Sequence, residues 1–224
     1  MSALAPLTSM ARMLAFSLLL ASPGVHSAGI PENGASDEFR FRVLLDDKEI
    51  GYHRYALMND DGRLRVQSEA AFDVKILFFN AYRYRHELTS EWDGGCLTTL
   101  AAVTDANGKR LSVSGDQRNG EFVVNIDGAN DALPGCVKNF AYWDPEILEA
   151  DKLLNPQTGE YLDISVEALG DVSINVSGTT SAAFAFRLTA KNMEIDLWYA
   201  QDDGRWLALE SPAKGGRTLR YERA

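Results

Sequence analysis

The sequence predicts a mainly β protein, built as a single, strongly curved antiparallel sheet or half-barrel of about ten to twelve strands with one short helical insertion. Short segments in which apolar and polar residues alternate follow one another along most of the chain. Turn sequences such as Asn59-Asp60-Asp61-Gly62 separate these segments and are typical of hairpins. The helical signal falls within residues 139–159.

Residues 1–28 have the pattern of a secretory signal peptide. Arg12 supplies positive charge, residues 13–20 are apolar, and cleavage is expected near Ala28. The apolar run is too short to span a bilayer, and no cysteine directly follows it to carry a lipid. We therefore expect export to the periplasm without a membrane anchor.

The mature chain is expected to be one acidic domain. Residues 29–36 contain Gly, Pro and polar residues and are expected to form a flexible tail. Residues 37–224 are expected to form a single β domain, because no break in composition divides them. The formal charge of −10, with no basic block, argues against nucleic acid as a partner, since phosphate contacts need clustered Lys and Arg.

Cys96 and Cys136 are the two cysteines of the sequence. An even count in an exported chain predicts a disulfide, and two buried free thiols are the alternative. The pair does not have the short spacing of metal-ligand motifs, so no metal site is expected. No motif for a cofactor is present either, and we expect none.

The alternating segments can be followed in order along the chain. They lie at residues 39–45, 50–58, 63–79, 81–92, 96–104, 110–116, 121–126, 161–168, 182–190, 193–199, 205–207 and 218–222, with a further candidate at 172–176. The third segment is long for a strand, which predicts a bulge or a bend.

The fourth segment carries a candidate catalytic histidine. Alternation places His86 on the same face as Tyr82, Tyr84 and Leu88. If that face is concave, His86 beside tyrosines is a candidate general base. The alternative is a histidine that is hydrogen-bonded within a partly polar sheet face. The opposite face of this segment carries Arg83, Arg85 and Glu87. We expect these three side chains to form a solvated ladder of cross-strand charges rather than an anion site.

Residues 139–159 predict a short helix. Asp144 is a favoured N-cap, Pro145 suits the first helical position, and Glu146 adds negative charge near the positive end of the helix dipole. The helix is expected to stop before Asn155-Pro156, because a residue that precedes proline disfavours helical backbone angles.

Aromatic residues precede this helix and form a candidate ligand site. Phe140, Tyr142 and Trp143 are expected either to plug one end of the β core or to line a ligand mouth. In the second interpretation, Asn139 and Gln157 are polar contacts. Further candidates for that site are Asp144 as a polar contact and Tyr82 and Tyr84 from the concave face.

Several motifs together are similar to a family of bacterial exported proteins known only as a domain of unknown function. The motifs are FFNAYRYRHE at residues 78–87, Trp92, Cys96-Leu97, LPGC at residues 133–136, FAYWDP at residues 140–145 and LNPQTG at residues 154–159. Residues 197–222 resemble another uncharacterised periplasmic β family, and their end resembles the half-barrel of periplasmic lipoprotein carriers. This resemblance implies a curved sheet around a helix with an apolar concave face, and it brings no catalytic residues.

Three functions fit these observations. The first is an exported, non-catalytic binding protein that holds an apolar or amphipathic small molecule, such as a lipid, in the curved sheet. The second is a partner-binding or assembly protein of the periplasm that uses an exposed sheet edge. The third is a small-molecule enzyme that uses His86 with Tyr84 and Asp144. The sequence contains no nucleophile elbow, phosphate loop or dinucleotide fingerprint.

Overall fold

A computed structural model of the protein describes the backbone of residues 36–76 and 79–224, and the side chains of these residues outside 75–81. The predicted leader, residues 1–28, and residues 29–35 of the predicted tail lie outside the described residues. Ser36, the last residue of the predicted tail, begins the first strand.

The described residues form fifteen strands and one short 3-10 helix. They are β1 (Ser36–Leu45), β2 (Lys48–Asp60), β3 (Arg63–Ile76), β4 (Phe79–Asp93), β5 (Cys96–Ala106), β6 (Lys109–Arg118), β7 (Glu121–Ile126), β8 (Ala129–Pro134), η1 (Pro145–Glu149), β9 (Lys152–Leu154), β10 (Tyr161–Asp163), β11 (Ser165–Val176), β12 (Thr179–Ala190), β13 (Met193–Ala200), β14 (Trp206–Ala213) and β15 (Arg217–Arg223).

Thirteen of these strands form one antiparallel sheet. Neighbours in the chain are neighbours in the sheet, and β1 also pairs with β15, so the chain ends meet in the middle of the sheet. The sheet does not close into a barrel, because β8 and β11 lie at its two edges. The predicted fold class is confirmed. The sheet has more strands than predicted because segments such as β8, where only Leu133 is buried, show no alternation.

One face of the sheet surrounds the hydrophobic core. Leu64, Val66 and Ala70 of β3 are buried on this face, as the alternation predicts. Phe41 of β1 packs against Trp206 of β14 with ring centroids 4.1 Å apart. The core includes residues from strands in both halves of the sheet, before and after the point where β15 meets β1. The sheet therefore wraps around the core.

Residues 135–164, here called the insert, connect the two edge strands and fill the interior. Trp143, Ile147 and Leu153 of the insert are fully buried or nearly so. Trp143 meets Trp92 of β4 edge-on, with ring centroids 5.5 Å apart. Trp143 therefore plugs the core, which is one of the two alternatives predicted for the aromatic residues. The insert is a part of the core and does not merely cover it.

The predicted helix is shorter than expected. Asp144 is its N-cap, and Oδ1 accepts a hydrogen bond from the Glu146 amide at 3.0 Å. The helix ends at Glu149 and is followed by β9, which pairs with β10. The expectation of a helix up to residue 154 is wrong because the amide of Leu154 bonds outside the segment, to the Lys138 carbonyl at 2.8 Å.

The predicted disulfide is present between Cys96 and Cys136, which are 40 residues apart in the chain. It joins the first residue of β5 to the start of the insert. Beside it, the amide of Leu97 donates to the carbonyl of Val137 at 2.9 Å. The disulfide thus fixes one end of the insert to the sheet. The described part of the chain contains no helix with the length and hydropathy needed to cross a membrane.

Replacing both cysteines, as Cys96→Ser with Cys136→Ser, is expected to lower the free energy of unfolding by about 3–4 kcal/mol. The bond restricts a 40-residue loop in the unfolded chain, and that restriction is lost in the variant. Urea unfolding followed by tryptophan fluorescence measures the change. The wild-type protein treated with a reductant should match the double variant, and a stability that is unchanged by both treatments would contradict this role.

Candidate functional site

A small cavity of about 60 Å³ lies between the insert and the inward face of β2, β3 and β4. Its lining combines polar and aromatic side chains with no charged residue. The lining residues are His53, Tyr55, Ser68, His86, Leu88, Ser90, Asn139, Phe140, Ala141, Tyr142, Trp143, Asn155, Pro156, Gln157 and Met193.

The strand register brings two histidines to this cavity. His53 of β2 pairs with Ala70 of β3, and Ala70 pairs with His86 of β4. The next residue across the sheet is Thr104 of β5, which pairs with His86. The four side chains form one row on the inward face, and the small methyl group of Ala70 leaves space between the two imidazole rings.

His53 is held by hydroxyl groups on both ring nitrogens. Nε2 lies 2.8 Å from the hydroxyl of Ser68, and Nδ1 lies 3.3 Å from the hydroxyls of Tyr55 and Tyr221. The ring also stacks on Tyr55, with centroids 4.3 Å apart. A neutral imidazole donates at one nitrogen and accepts at the other, so these partners satisfy His53 without a charge.

Only one of the two ring nitrogens of His86 has a hydrogen-bond partner among the described residues. Nδ1 lies 2.9 Å from the hydroxyl of Thr104. No side chain among the described residues provides a hydrogen bond to Nε2. His86 is buried, and it lines the cavity, so Nε2 is available to a group that enters.

Both histidines are kept neutral by their surroundings. Burial lowers the pKa of His53 to about 3, and the nearby His86 adds to this effect. Burial alone lowers the pKa of His86 to about 4. A charged imidazole has no carboxylate partner in the cavity lining, so the neutral form is favoured over the whole physiological range.

The insert contributes two buried amide side chains. Asn155 uses its carbonyl oxygen to accept a hydrogen bond from the amide of Gln157 at 2.9 Å, which leaves its NH₂ group. Asn139 is 3% exposed, and its side chain makes no hydrogen bond to any described residue. The NH₂ group and the carbonyl oxygen of Asn139 are therefore available to a water or a ligand group that enters the cavity.

The structure brings together most of the sequence-predicted binding residues. Asn139, Phe140, Tyr142 and Trp143 line the cavity together with Gln157 and with His86, the candidate base. Among the lining residues, Gln157 is exposed and three others are half-buried, so the cavity approaches solvent on their side; the three are Phe140, Tyr142 and Met193.

Three predicted residues do not line the cavity, although the ring of Tyr84 lies 6.3 Å from the ring of His86. Asp144 caps η1 and lies 3.6 Å from the ammonium group of Lys138; burial raises its pKa against the effect of that charge. Tyr84 stacks on Phe72 with centroids 5.0 Å apart. Tyr82 is 38% exposed. None of these three residues lines the cavity.

Sequence reasoning missed His53 and Ser68, which are central to the site. Both lie at inward positions of alternating strands, where apolar residues are expected. Alternation already puts Ser68 on one face with Val66 and Ala70, but a single serine at such a position gave no reason to propose a site. The pairing with His53 depends on the register of β2 and β3, which the sequence does not specify.

The outward face of β1 to β6 carries a second, open groove of about 610 Å³. Small residues such as Ala101 and Ser112 lie among charged ones. Several of these charges are paired, as Arg54 is with Glu69. The predicted ladder of charges on β4 is formed at Arg83 and Arg85, which pair with Asp105 and Asp73. Glu87 instead lies opposite Glu69, a residue of like charge.

A metal site is not supported. Within residues 36–76 and 79–224, no group of three or more His, Cys, Asp and Glu side chains could hold an ion.

The free energy of unfolding is expected to decrease as the pH falls from about 6.5 towards 4. The unfolded chain binds protons at His53 and His86 in this range, whereas the folded state does not until the pH approaches the lowered pKa values of about 3 and 4. In the His86→Gln variant, the slope against pH should be shallower by about 1.4 kcal/mol per pH unit, which corresponds to one proton.

Denaturant unfolding at a series of pH values measures both slopes. Carboxylates titrate equally in the two proteins and cancel in the comparison. Equal slopes for the wild type and the His86→Gln variant would contradict a buried, neutral His86.

The comparisons with known proteins establish family and fold. The solved structure of a β-barrel-like protein from Brucella abortus, a domain of unknown function called DUF1849, matches with a TM-score of 0.64 and 9% sequence identity. The match covers 86% of this chain and 97% of that chain, and at this identity it shows the fold alone. A search of curated proteins finds no relative. Residues 41–224 match the domain of unknown function DUF6134, and the chain therefore belongs to the DUF6134 family.

Proposed function

We propose that this chain is an exported, non-catalytic binding protein of the bacterial periplasm. Its ligand is an amphipathic small molecule whose polar group enters the cavity beneath the insert. The proposal is supported by the signal-peptide pattern of residues 1–28 and by the disulfide between Cys96 and Cys136, since such bonds are typical of oxidising compartments.

The side chain of Asn139, which lines the cavity and bonds to no described residue, is the observation that carries this proposal. It lies in a cavity whose lining also offers His86 Nε2, and both groups can bond to an entering polar group. Phe140 and Met193 give the open side of the cavity an apolar surface. A few placed polar groups beside aromatic side chains are typical of small-molecule sites.

The size of the cavity limits what enters it. A volume of about 60 Å³ is well below the roughly 300–1,000 Å³ of a pocket that encloses a whole ligand. Trp143, Ile147 and Leu153 of the insert occupy the interior of the described sheet, so an acyl chain there would compete with them for space. The polar group of the ligand therefore enters the cavity, and its apolar part lies along Phe140 and Met193. A whole lipid inside the sheet, as in the half-barrel of lipoprotein carriers, would require displacement of the insert.

An enzyme that uses His86 is less well supported. A general base works best when its pKa is near the working pH, and the pKa of His86 is lowered to about 4. Asp144, the predicted partner, caps η1 and does not line the cavity. Ser68 and His53 form a hydroxyl–imidazole pair, but the pKa of His53 is lowered to about 3, so the imidazole is a weak base.

A periplasmic partner-binding role is the second candidate, and the outward groove favours it. The groove is large enough for an extended segment of another protein, and small residues such as Ala101 and Ser114 keep it open. Its rim carries both signs of charge, as in Arg40 and Glu87. A groove of this kind binds through shape and hydrogen bonds rather than through one dominant charge.

Native mass spectrometry tests the binding function. The mature protein, purified from the periplasm of its own host without detergent, should carry one added small-molecule mass that solvent extraction removes. The Asn139→Leu variant should carry less of it, because leucine has a similar size but cannot bond to the polar group. The exposed Asn130→Leu change is the matched control and should leave the added mass in place.

A bare protein mass in every preparation would contradict small-molecule binding. If a protein partner is retained instead, and the Ala101→Arg change in the outward groove removes it, the second candidate function is supported.

A further inference from the structure

The polar groups of the cavity also indicate which chemical class of ligand it accepts. This inference rests on the proposed binding function. We propose that the cavity recognises an uncharged hydroxyl or amide group, and that Asn139 and His86 are the residues that recognise it.

The cavity contains hydrogen-bonding groups that no described residue uses. The side chain of Asn139 offers a carbonyl oxygen and an NH₂ group, and it bonds to no described residue. His86 offers Nε2, because Thr104 occupies Nδ1 at 2.9 Å. Asn155 offers its NH₂ group, since its carbonyl oxygen is bonded to Gln157. These groups include both donors and acceptors, which suits a hydroxyl or an amide.

The cavity lining contains no Lys, Arg, Asp or Glu, so an ion in the cavity would have no counter-charge. The two imidazoles remain neutral in their buried positions, and protonating one of them to pair with an anion opposes the effect of burial. An ion that leaves water for such a site loses its hydration without compensation.

The cavity is also small. One water molecule needs roughly 10–15 Å³ of such a cavity, so a cavity of about 60 Å³ holds a polar group of a few heavy atoms but not a whole amphiphile. A hydroxymethyl group or a primary amide fits this volume. The rest of the ligand must continue past Phe140, Gln157 and Met193, where the lining is most exposed. The ligand class is therefore a neutral amphiphile, an alcohol or an amide with an apolar tail.

A series of amphiphiles with one tail and different polar groups tests this assignment. Octanol, octanamide, octanoate and octylamine are titrated into the disulfide-intact mature protein by calorimetry at neutral pH. Octanol and octanamide should bind, and octanoate and octylammonium should bind at least roughly 100-fold more weakly, because each would bury an unpaired charge.

Two variants at one position then test the role of Asn139. Asn139→Leu should weaken octanol binding by roughly tenfold, because one hydrogen bond is lost. Asn139→Asp places a carboxylate in nearly the same volume and should reverse the preference, so that octylamine binds more tightly than octanol. Asn130→Leu on the exposed strand β8 is the control and should bind octanol as the wild type does. Circular dichroism confirms that each variant is folded.

The outcomes separate this inference from the proposed function. Equal binding of all four compounds, or tightest binding of octanoate, would overturn the neutral-ligand assignment while leaving amphiphile binding in place. Binding of none of them would overturn both. Selectivity for neutral compounds that persists in the folded Asn139→Asp variant would show that Asn139 does not recognise the polar group.

Discussion

The structure depends on the insert, which connects the two edges of a sheet that does not close. A curved, open sheet of thirteen strands has an apolar concave face that needs to be covered. Its two edge strands also have backbone groups without a neighbouring strand to pair with. Residues 135–164 run from the end of β8 to the start of β11 and place Trp143, Ile147 and Leu153 in the core. The hydroxyl of Tyr199 on β13 donates to the carbonyl of Tyr142 at 3.0 Å, so the insert is fixed to β13 as well as to β5. Without the insert, the apolar face of the sheet would be open to water.

The same segment creates the polar cavity. The insert is apolar where it meets Trp92 and polar where Asn139 and Asn155 face His53 and His86. Asn155 has a local role, because its carbonyl oxygen accepts a hydrogen bond from the amide of Gln157. Asn139 bonds to no described residue, so its side chain is available to the polar group that we propose. The side chains that line the cavity are neutral and the cavity is small, and these two properties suit the neutral polar group of the ligand that we propose.

Much of the fold could be predicted from the sequence, because alternation and turn residues are local signals. Alternation puts Leu64, Val66 and Ala70 on one face of a strand, and the structure shows that this face is the buried one. Export with an even cysteine count predicted the bond between Cys96 and Cys136. The length of the helix was not predictable in the same way, because Leu154 pairs with a residue distant from the helix start. The insert's position inside the sheet likewise depends on contacts that no local pattern contains.

The candidate site was predictable in part for the same reason. The aromatic and polar residues from Asn139 to Trp143 are adjacent in the chain and were recognised together. Their partners on the sheet come from different strands, and only the register of β2, β3 and β4 brings His53 and Ser68 to them. Asp144 was correctly recognised as a cap, but its distance from His86 in the sequence gave no information on whether they share a site.

A high-resolution crystal structure of the protein purified from its own periplasm, without detergent, tests the central claim most directly. The account predicts continuous density that begins between Asn139 and His86 Nε2 and leaves the cavity beside Phe140. One polar group should lie within hydrogen-bond distance of the Asn139 side chain. Isolated waters in the cavity, with no density continuing past Phe140, would contradict a ligand site beneath the insert and would leave the cavity as a hydrated feature of the core.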